Sequence, residues 1–308
     1  MSTKGVIGRL LIVFAFPVFL SILLNFIFPK PPPDHGKGSM FDMIATRYDF
    51  INRALALNMD ISWRKVMIAR VTSNGEIFSI NDSNDQDDHN SSIRVLDLAT
   101  GTADVAIIMA KEYQSIDAKT KKDMSILGLD PSRNMISVGQ EKVTKANLNQ
   151  YISLELGDAR DLNQIQDNYF HAATMSFGIR NVPEKAEALC EIHRVLIKEQ
   201  VGNKGGKLAI LEFSEPRDAG ILSTVARLFI RYVVPAVGAL LSGAPREYMH
   251  LTESIENFPS PQEFVHLMEG LNCNQDGRGG AFRVDELQHL NFGSVQLYLA
   301  TPIWKKKD

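Results

Sequence analysis

From residue 93 to residue 214 the chain repeats one pattern: a short apolar run ending in small or acidic residues, then a segment with helical spacing. "IRVLDLA" (93–99) precedes "DVAIIMAKEY", and "SILGLD" (125–130) precedes "SRNMISVGQEKV". "ISLELGD" (152–158), "FHAATMSFG" (170–178) and "GGKLAILEFS" (205–214) follow, with the helical "EKAEALCEIHRVL" (184–196) between the last two. Apolar runs of this length, bounded by turn residues, predict strands buried on both faces. Their alternation with helices predicts an α/β domain with a mainly parallel sheet. In such a sheet ligands bind at the carboxyl ends of the strands, near the point where strand order reverses. The unusual small and polar residues fall there, at 100–104, Asp130, Asp158 and 176–181.

The first of these loops, "ATGTAD", holds a single glycine, Gly101. A dinucleotide turn needs G-x-G-x-x-G so that the backbone can approach a pyrophosphate. The missing spacing disfavours a nicotinamide dehydrogenase. A tight turn with hydroxyls at Thr100 and Thr102 suits a ligand without phosphates, such as the amino-acid end of S-adenosylmethionine; it also suits a turn that serves packing alone. Asp130 ends the second strand, where a carboxylate can accept both hydroxyls of an adenosine ribose, although Asp130-Pro131-Ser132 also reads as a helix cap. Asp158 and Ala159 end the third strand. A carboxylate there can accept from an adenine amino group while the Ala159 N–H meets a ring nitrogen; a solvated turn aspartate is the competing reading.

With 308 residues, 44% hydrophobic and 22% charged, the chain can build a substantial core. The net charge of −3 and scattered Lys and Arg argue against a nucleic-acid binder. Cys190 and Cys273 form no CxxC or Cys/His cluster. Neither a bound metal nor a disulfide is therefore expected, and a reducing environment is. "LLIVFAFPVFLSILLNFIF" (10–28) carries no charge and is long enough to cross a bilayer. The Pro-rich "PKPPPDHGKG" follows without a small-x-small cleavage site. Residues 1–39 are thus expected to be an uncleaved membrane anchor plus linker, with an organellar targeting segment as the alternative. Residues 40–70 predict helix, and 72–92 a solvated acidic insert.

The series "MFDMIATRYDFINRAL", "VLDLATGTAD", "GLDPSRNM", "MSFGIRNVPEKAEALCEIHRVL", "GGKLAILEFSEP" and "YMHLTESIENFP" resembles the UbiE/MenG-type quinone C-methyltransferases, class I S-adenosylmethionine enzymes of ubiquinone and menaquinone synthesis. The resemblance covers about residues 40–300, and its narrowest parts are "SFGIRNV", "EFSEP" and "YMHLTESI". It implies a Rossmann-like fold with a mostly parallel seven-stranded sheet flanked by helices, over residues 40–308, behind the N-terminal hydrophobic helix. It places S-adenosylmethionine contacts on Thr102, Asp130, Asp158, Ala159 and Ser176, with Gly101 along the methionine moiety and Asp97 supporting the loop. The family commonly has Gly where Ala103 stands, and both "VLIKEQVGNKGGK" and the acidic insert are longer than usual.

The implied reaction moves a methyl group to a ring carbon of a polyprenylated quinol, either 2-methoxy-6-polyprenyl-1,4-benzoquinol or demethylmenaquinol. Arg180 would hold a developing phenolate or orient a water, unless it serves a structural salt bridge. Tyr248 and His250 are candidates for the quinol hydroxyls, and His250 for the base. Residues 217–260 would form a greasy lid, too interrupted by Arg227 and Arg231 for a membrane span. Tyr48 and Asp49 would close over the cofactor. Expected partners are the quinol, a membrane (mitochondrial inner or other organellar), other quinone-synthesis enzymes and a second copy in a homodimer. Competing readings are a methyltransferase for another lipophilic acceptor and a non-catalytic membrane-tethered scaffold.

Overall fold

The computed structural model describes residues 19–20, 36–78, 92–118, 122–199, 205–216, 220–242, 245–273 and 279–305. The five apolar runs form β1 (Ile93–Leu98), β2 (Met124–Asp130), β3 (Ile152–Leu156), β4 (Ala172–Ser176) and β5 (Lys207–Phe213). With β6 (Gly279–Leu290) and β7 (Val295–Lys305) they make one seven-stranded sheet of order β3-β2-β1-β4-β5-β7-β6. The first five strands are mutually parallel, and β7 enters antiparallel between β5 and β6. Strand order reverses between β1 and β4, so the crevice at their carboxyl ends is the switch point where ligands bind in such sheets.

Successive strand residues point to opposite faces, and Val95 and Leu96 accordingly enter different apolar layers. One layer holds α4 (Asp104–Gln114) and α5 (Arg133–Lys145) through residues such as Ile107 and Val143. The other holds α6 (Lys185–Val195) and α10 (Pro261–Gly270) through Ile192 and Phe264.

The expected helix over 40–70 is three helices: α1 (Ser39–Asp42), α2 (Ala45–Leu55) and α3 (Met59–Val71). The chain breaks between the last two because Leu57 and Asn58 are left-handed, at φ 50° and 62°. The supposedly solvated insert begins with packed structure. Its 76–78 segment is a 3-10 turn whose Phe78 is buried edge-on to Tyr113, while 79–91 lie outside the described residues. The segment expected as a lid comprises α7 (Ile221–Leu228), a π-helical turn (Phe229–Val233), α8 (Val234–Ser242) and α9 (Pro245–Glu256).

A further expectation is corrected. Cys190 and Cys273 are joined in a disulfide, contrary to the expected free thiols and the reducing environment inferred from them. Their separation of 83 residues hid the pairing; α10 packs against α6 and brings the segment after it alongside Cys190. Gly38, at the end of the proline-rich stretch, is buried. The apolar run 10–28 lies outside the described residues, apart from Phe19 and Leu20.

Candidate active site

The turn after β1 is built on left-handed backbone at Ala99, Gly101 and Ala103, with φ of 48°, 55° and 66°. That conformation costs an ordinary side chain about 1–2 kcal/mol, which gives a physical reason for a glycine in place of Ala103. Asp97 lies beneath the turn, fully buried, accepting hydrogen bonds from the hydroxyls of Thr100 (2.6 Å) and Thr174 (2.7 Å). Burial pushes its carboxyl up to about 6. It is hydrogen-bonded to the loop through Thr100 and does not line the cavity above.

That cavity, about 80 Å³, is lined by Gly101, Asp130, Asp158, Ala159 and Ser176 together with Gly36, Gly38, Phe41 and Tyr48. Five of the seven expected cofactor positions therefore meet at one place. Asp130 takes one backbone N–H on each carboxylate oxygen, from Gly101 and from Ser132, both at 2.9 Å. A carboxylate has roughly four acceptor sites, so lone pairs remain for ribose hydroxyls. Burial pushes this carboxyl also up to about 6. Asp158 is held by Arg160 at 2.6 Å. Burial opposes its charge, but the Arg160 hydrogen bonds outweigh it and hold the carboxyl below its usual range. The role expected of Asp158 is thus shared with a cation that sequence reading overlooked.

Thr102 departs from expectation. It does not line the cavity; its hydroxyl donates to Asp49 (2.6 Å) and accepts from Lys142 (3.0 Å). Lys142 also binds Asp49 (2.6 Å) and Asp104 (2.8 Å), and Arg53 reaches Asp104 at 2.6 Å. Asp60 completes the network by pairing with Arg53 and Arg64. These ion pairs fasten α2, which carries Asp49 and Arg53, to the ends of α4 and α5. They hold Tyr48 over the cavity, and Phe41 of α1 packs edge-on against it.

A second cavity of about 420 Å³ opens beside the first, and Phe41, Tyr48, Phe177 and Asn181 line both. Its walls are mostly apolar and aromatic, including Trp63, Phe213, Phe229 and Ile230. Arg180 lines it. Its Nη1 binds Glu212 Oε1 (2.6 Å) and the Phe177 carbonyl (2.7 Å), while its Nε is buried with no hydrogen-bond partner among the described residues. Glu212, at 0% exposed, is the counter-charge that sequence reading missed. His250, on α9, also lines this cavity. Tyr248 lies on the same helix, with its side chain outside the described residues. Tyr48 stands on the shared wall, and burial raises its phenol, so it is neutral at physiological pH.

The model of the ubiE/COQ5 methyltransferase family matches residues 34–275. The chain belongs to that family. The ubiquinone/menaquinone biosynthesis C-methyltransferase UbiE of Geotalea uraniireducens is 34% identical over 232 residues, covering 75% of this chain and 85% of the relative. The demethylmenaquinone methyltransferase of Lactiplantibacillus plantarum is 32% identical over 267 residues, covering 87% and 96%. A solved structure from Methanococcus maripaludis, described as that of "a putative S-adenosyl-L-methionine-dependent methyltransferase", superimposes with TM-score 0.51 at 16% identity, covering 89% of this chain and 96% of that one. The last shows the fold alone. As a member of that family the methyltransferase uses S-adenosylmethionine, and the chemistry of the residues lining the smaller cavity fits that cofactor. Among the described residues, Ser176 Oγ is buried without a hydrogen-bond partner and nothing stands within 4 Å of where a Gly101 Cβ would project, and the Asp130 carboxylate lies alongside.

Proposed function

We propose that this methyltransferase methylates a ring carbon of a polyprenylated quinol held in the larger cavity, with the cofactor in the smaller. The observation that carries the reading is the shared wall: an apolar, aromatic chamber opens directly from the cofactor cavity across Tyr48 and Phe177. Bound S-adenosylmethionine supplies an electrophilic methyl, so what remains for the chain is alignment, exclusion of water and removal of a proton from the ring hydroxyl.

Arg180 stays protonated at ordinary pH and is fixed by Glu212. It acts as a stationary cation toward which a quinol oxygen gains negative charge. Its unpartnered Nε–H is the donor for that oxygen. His250, the histidine among the described lining residues, takes the hydroxyl proton; once the ring carbon carries the methyl it gives up its hydrogen and the oxygen regains a proton, which restores the aromatic ring. Asp130, Ala159 and Ser176 hold the adenosine, Gly101 the methionine end. The apolar run 10–28 holds the chain to a membrane, where such acceptors reside.

Purified full-length protein, given S-adenosylmethionine with an isotope-labelled methyl, is expected to label a demethyl-benzoquinol or demethyl-naphthoquinol on carbon, read by mass spectrometry. Labelling of an unrelated phenol but of neither quinol would refute the acceptor. Cofactor binding with no labelling would leave a scaffold.

A further inference from the structure

Two turns force bulky apolar side chains into a backbone conformation that such residues avoid. Leu57, just past α2, has φ 50° and is 72% exposed; Phe292, at the tip of the β6–β7 hairpin, has φ 55° and is 65% exposed. The left-handed region is the province of glycine and asparagine, and large residues held there cluster at functional sites. The two lie far apart in sequence, yet both line the larger cavity. So do the exposed Met59 and Val225, and Leu228 stands exposed one turn beyond Val225 on α7. Their exposure marks where the cavity reaches the surface, so its open end wears an apolar rim drawn from three separate elements.

The chain itself indicates what covers this rim. The uncharged run 10–28 ends eight residues before Gly36, and Met40 and Phe41 already line the larger cavity. Eight extended residues reach at most ~28 Å, so a bilayer holding that run lies close to α1. The helical run Ser223–Leu241 is also apolar enough for a membrane, by length and composition. Its Ala226, Phe229 and Ile230 line the cavity, however, and its Arg231 pairs with Glu215 (2.7 Å) and Glu256 (3.3 Å). That arrangement suits a helix lying along an interface better than one crossing it.

We propose that the rim formed by Leu57, Met59, Val225, Leu228 and Phe292 docks into a lipid bilayer surface, so that an acceptor's isoprenoid tail passes from membrane to cavity without crossing water. The inference deepens the quinol reading and rests on it for the tail, though not for the docking.

The test labels full-length Leu57→Cys, Phe292→Cys and, on the exposed far edge strand, Ser153→Cys with an environment-sensitive dye. Each is mixed with phosphatidylcholine vesicles carrying doxyl-labelled acyl chains, with no acceptor present. Emission from positions 57 and 292 is expected to shift to the blue and be quenched, and emission from 153 to stay unchanged. No response at 57 and 292 would overturn the inference, because the N-terminal run alone would then hold the chain. A blue shift that grows with protein concentration in the absence of vesicles would also overturn it, assigning the rim to a second copy. Leu228→Asp should raise the KM for a long-tailed acceptor in vesicles about tenfold, the worth of one buried leucine; a loss in kcat at constant KM would contradict docking. Insertion without methylation defeats only the quinol reading, and methylation without insertion defeats only the docking.

Discussion

Asp130 carries two demands of opposite sign. Its carboxyl titrates at about 6 because it is buried, whereas a free aspartate titrates near 4. The folded protein therefore holds the protonated form more firmly than the unfolded chain does. This contribution to stability is fully present below pH ~4 and is lost as pH rises through 6. Ribose hydroxyls need the ionised form as acceptor. Cofactor affinity should accordingly be highest above pH 6 and fall up to about tenfold per pH unit below it. Calorimetric titration of S-adenosylmethionine between pH 5 and 7.5 checks this, and Asp130→Asn should weaken binding and flatten the profile. The buried Arg180–Glu212 pair offers a second measurement at this scale. Glu212→Gln leaves a buried guanidinium without its counter-charge and should cost about 3 kcal/mol in urea unfolding. The double change Arg180→Met with Glu212→Leu should recover much of that stability while turnover stays low, since it removes the cation.

Among the elements, the short segment before α2 matters more than its composition suggests. Gly38 has φ 76°, and a Cβ there would stand 2.7 Å from the backbone nitrogen of Ser132. Gly38→Ala should lift this segment from the cofactor cavity and speed cofactor release about tenfold or more in stopped-flow exchange; the left-handed strain alone accounts for that factor. The five parallel strands were legible because each is a short apolar run bounded by turn residues, so one-dimensional pattern and three-dimensional position coincide; β3, at the sheet edge, is the one that turns a face outward rather than being buried on both. Gly101, Asp130, Asp158, Ala159 and Ser176 were legible for the same reason, since the topology sends strand ends to one crevice. Thr102 and Glu212 were not. Thr102 turns its hydroxyl toward Asp49, 53 residues away, and Glu212 sits within an apolar strand because Arg180, 32 residues upstream, neutralises it. Such choices rest on partners that no local pattern specifies. The break at Leu57 was hidden because helical apolar spacing continues straight through it.

On the scale of the whole molecule, the bridge between Cys190 and Cys273 ties α6 to the start of the β6–β7 hairpin, across 83 residues that include α7, α8 and α9. Closing so long a loop restricts the unfolded chain, and Cys190→Ser should lower unfolding stability by about 2–4 kcal/mol, with wild type treated with reductant behaving alike. The hairpin that β7 anchors beside β5 also carries Phe292, so this staple and the cavity mouth belong to one unit. The wall shared by the two cavities has a different consequence. Tyr48 and Phe41 line both chambers, so in the proposed reading an acceptor seated in the larger one would bar the way past them. Traffic through the protein then has a sequence: cofactor enters first and its demethylated remnant leaves last. Initial-rate kinetics should show S-adenosylhomocysteine competing with S-adenosylmethionine but not with the acceptor, and a random order of addition would mean that the shared wall opens while the acceptor is still seated.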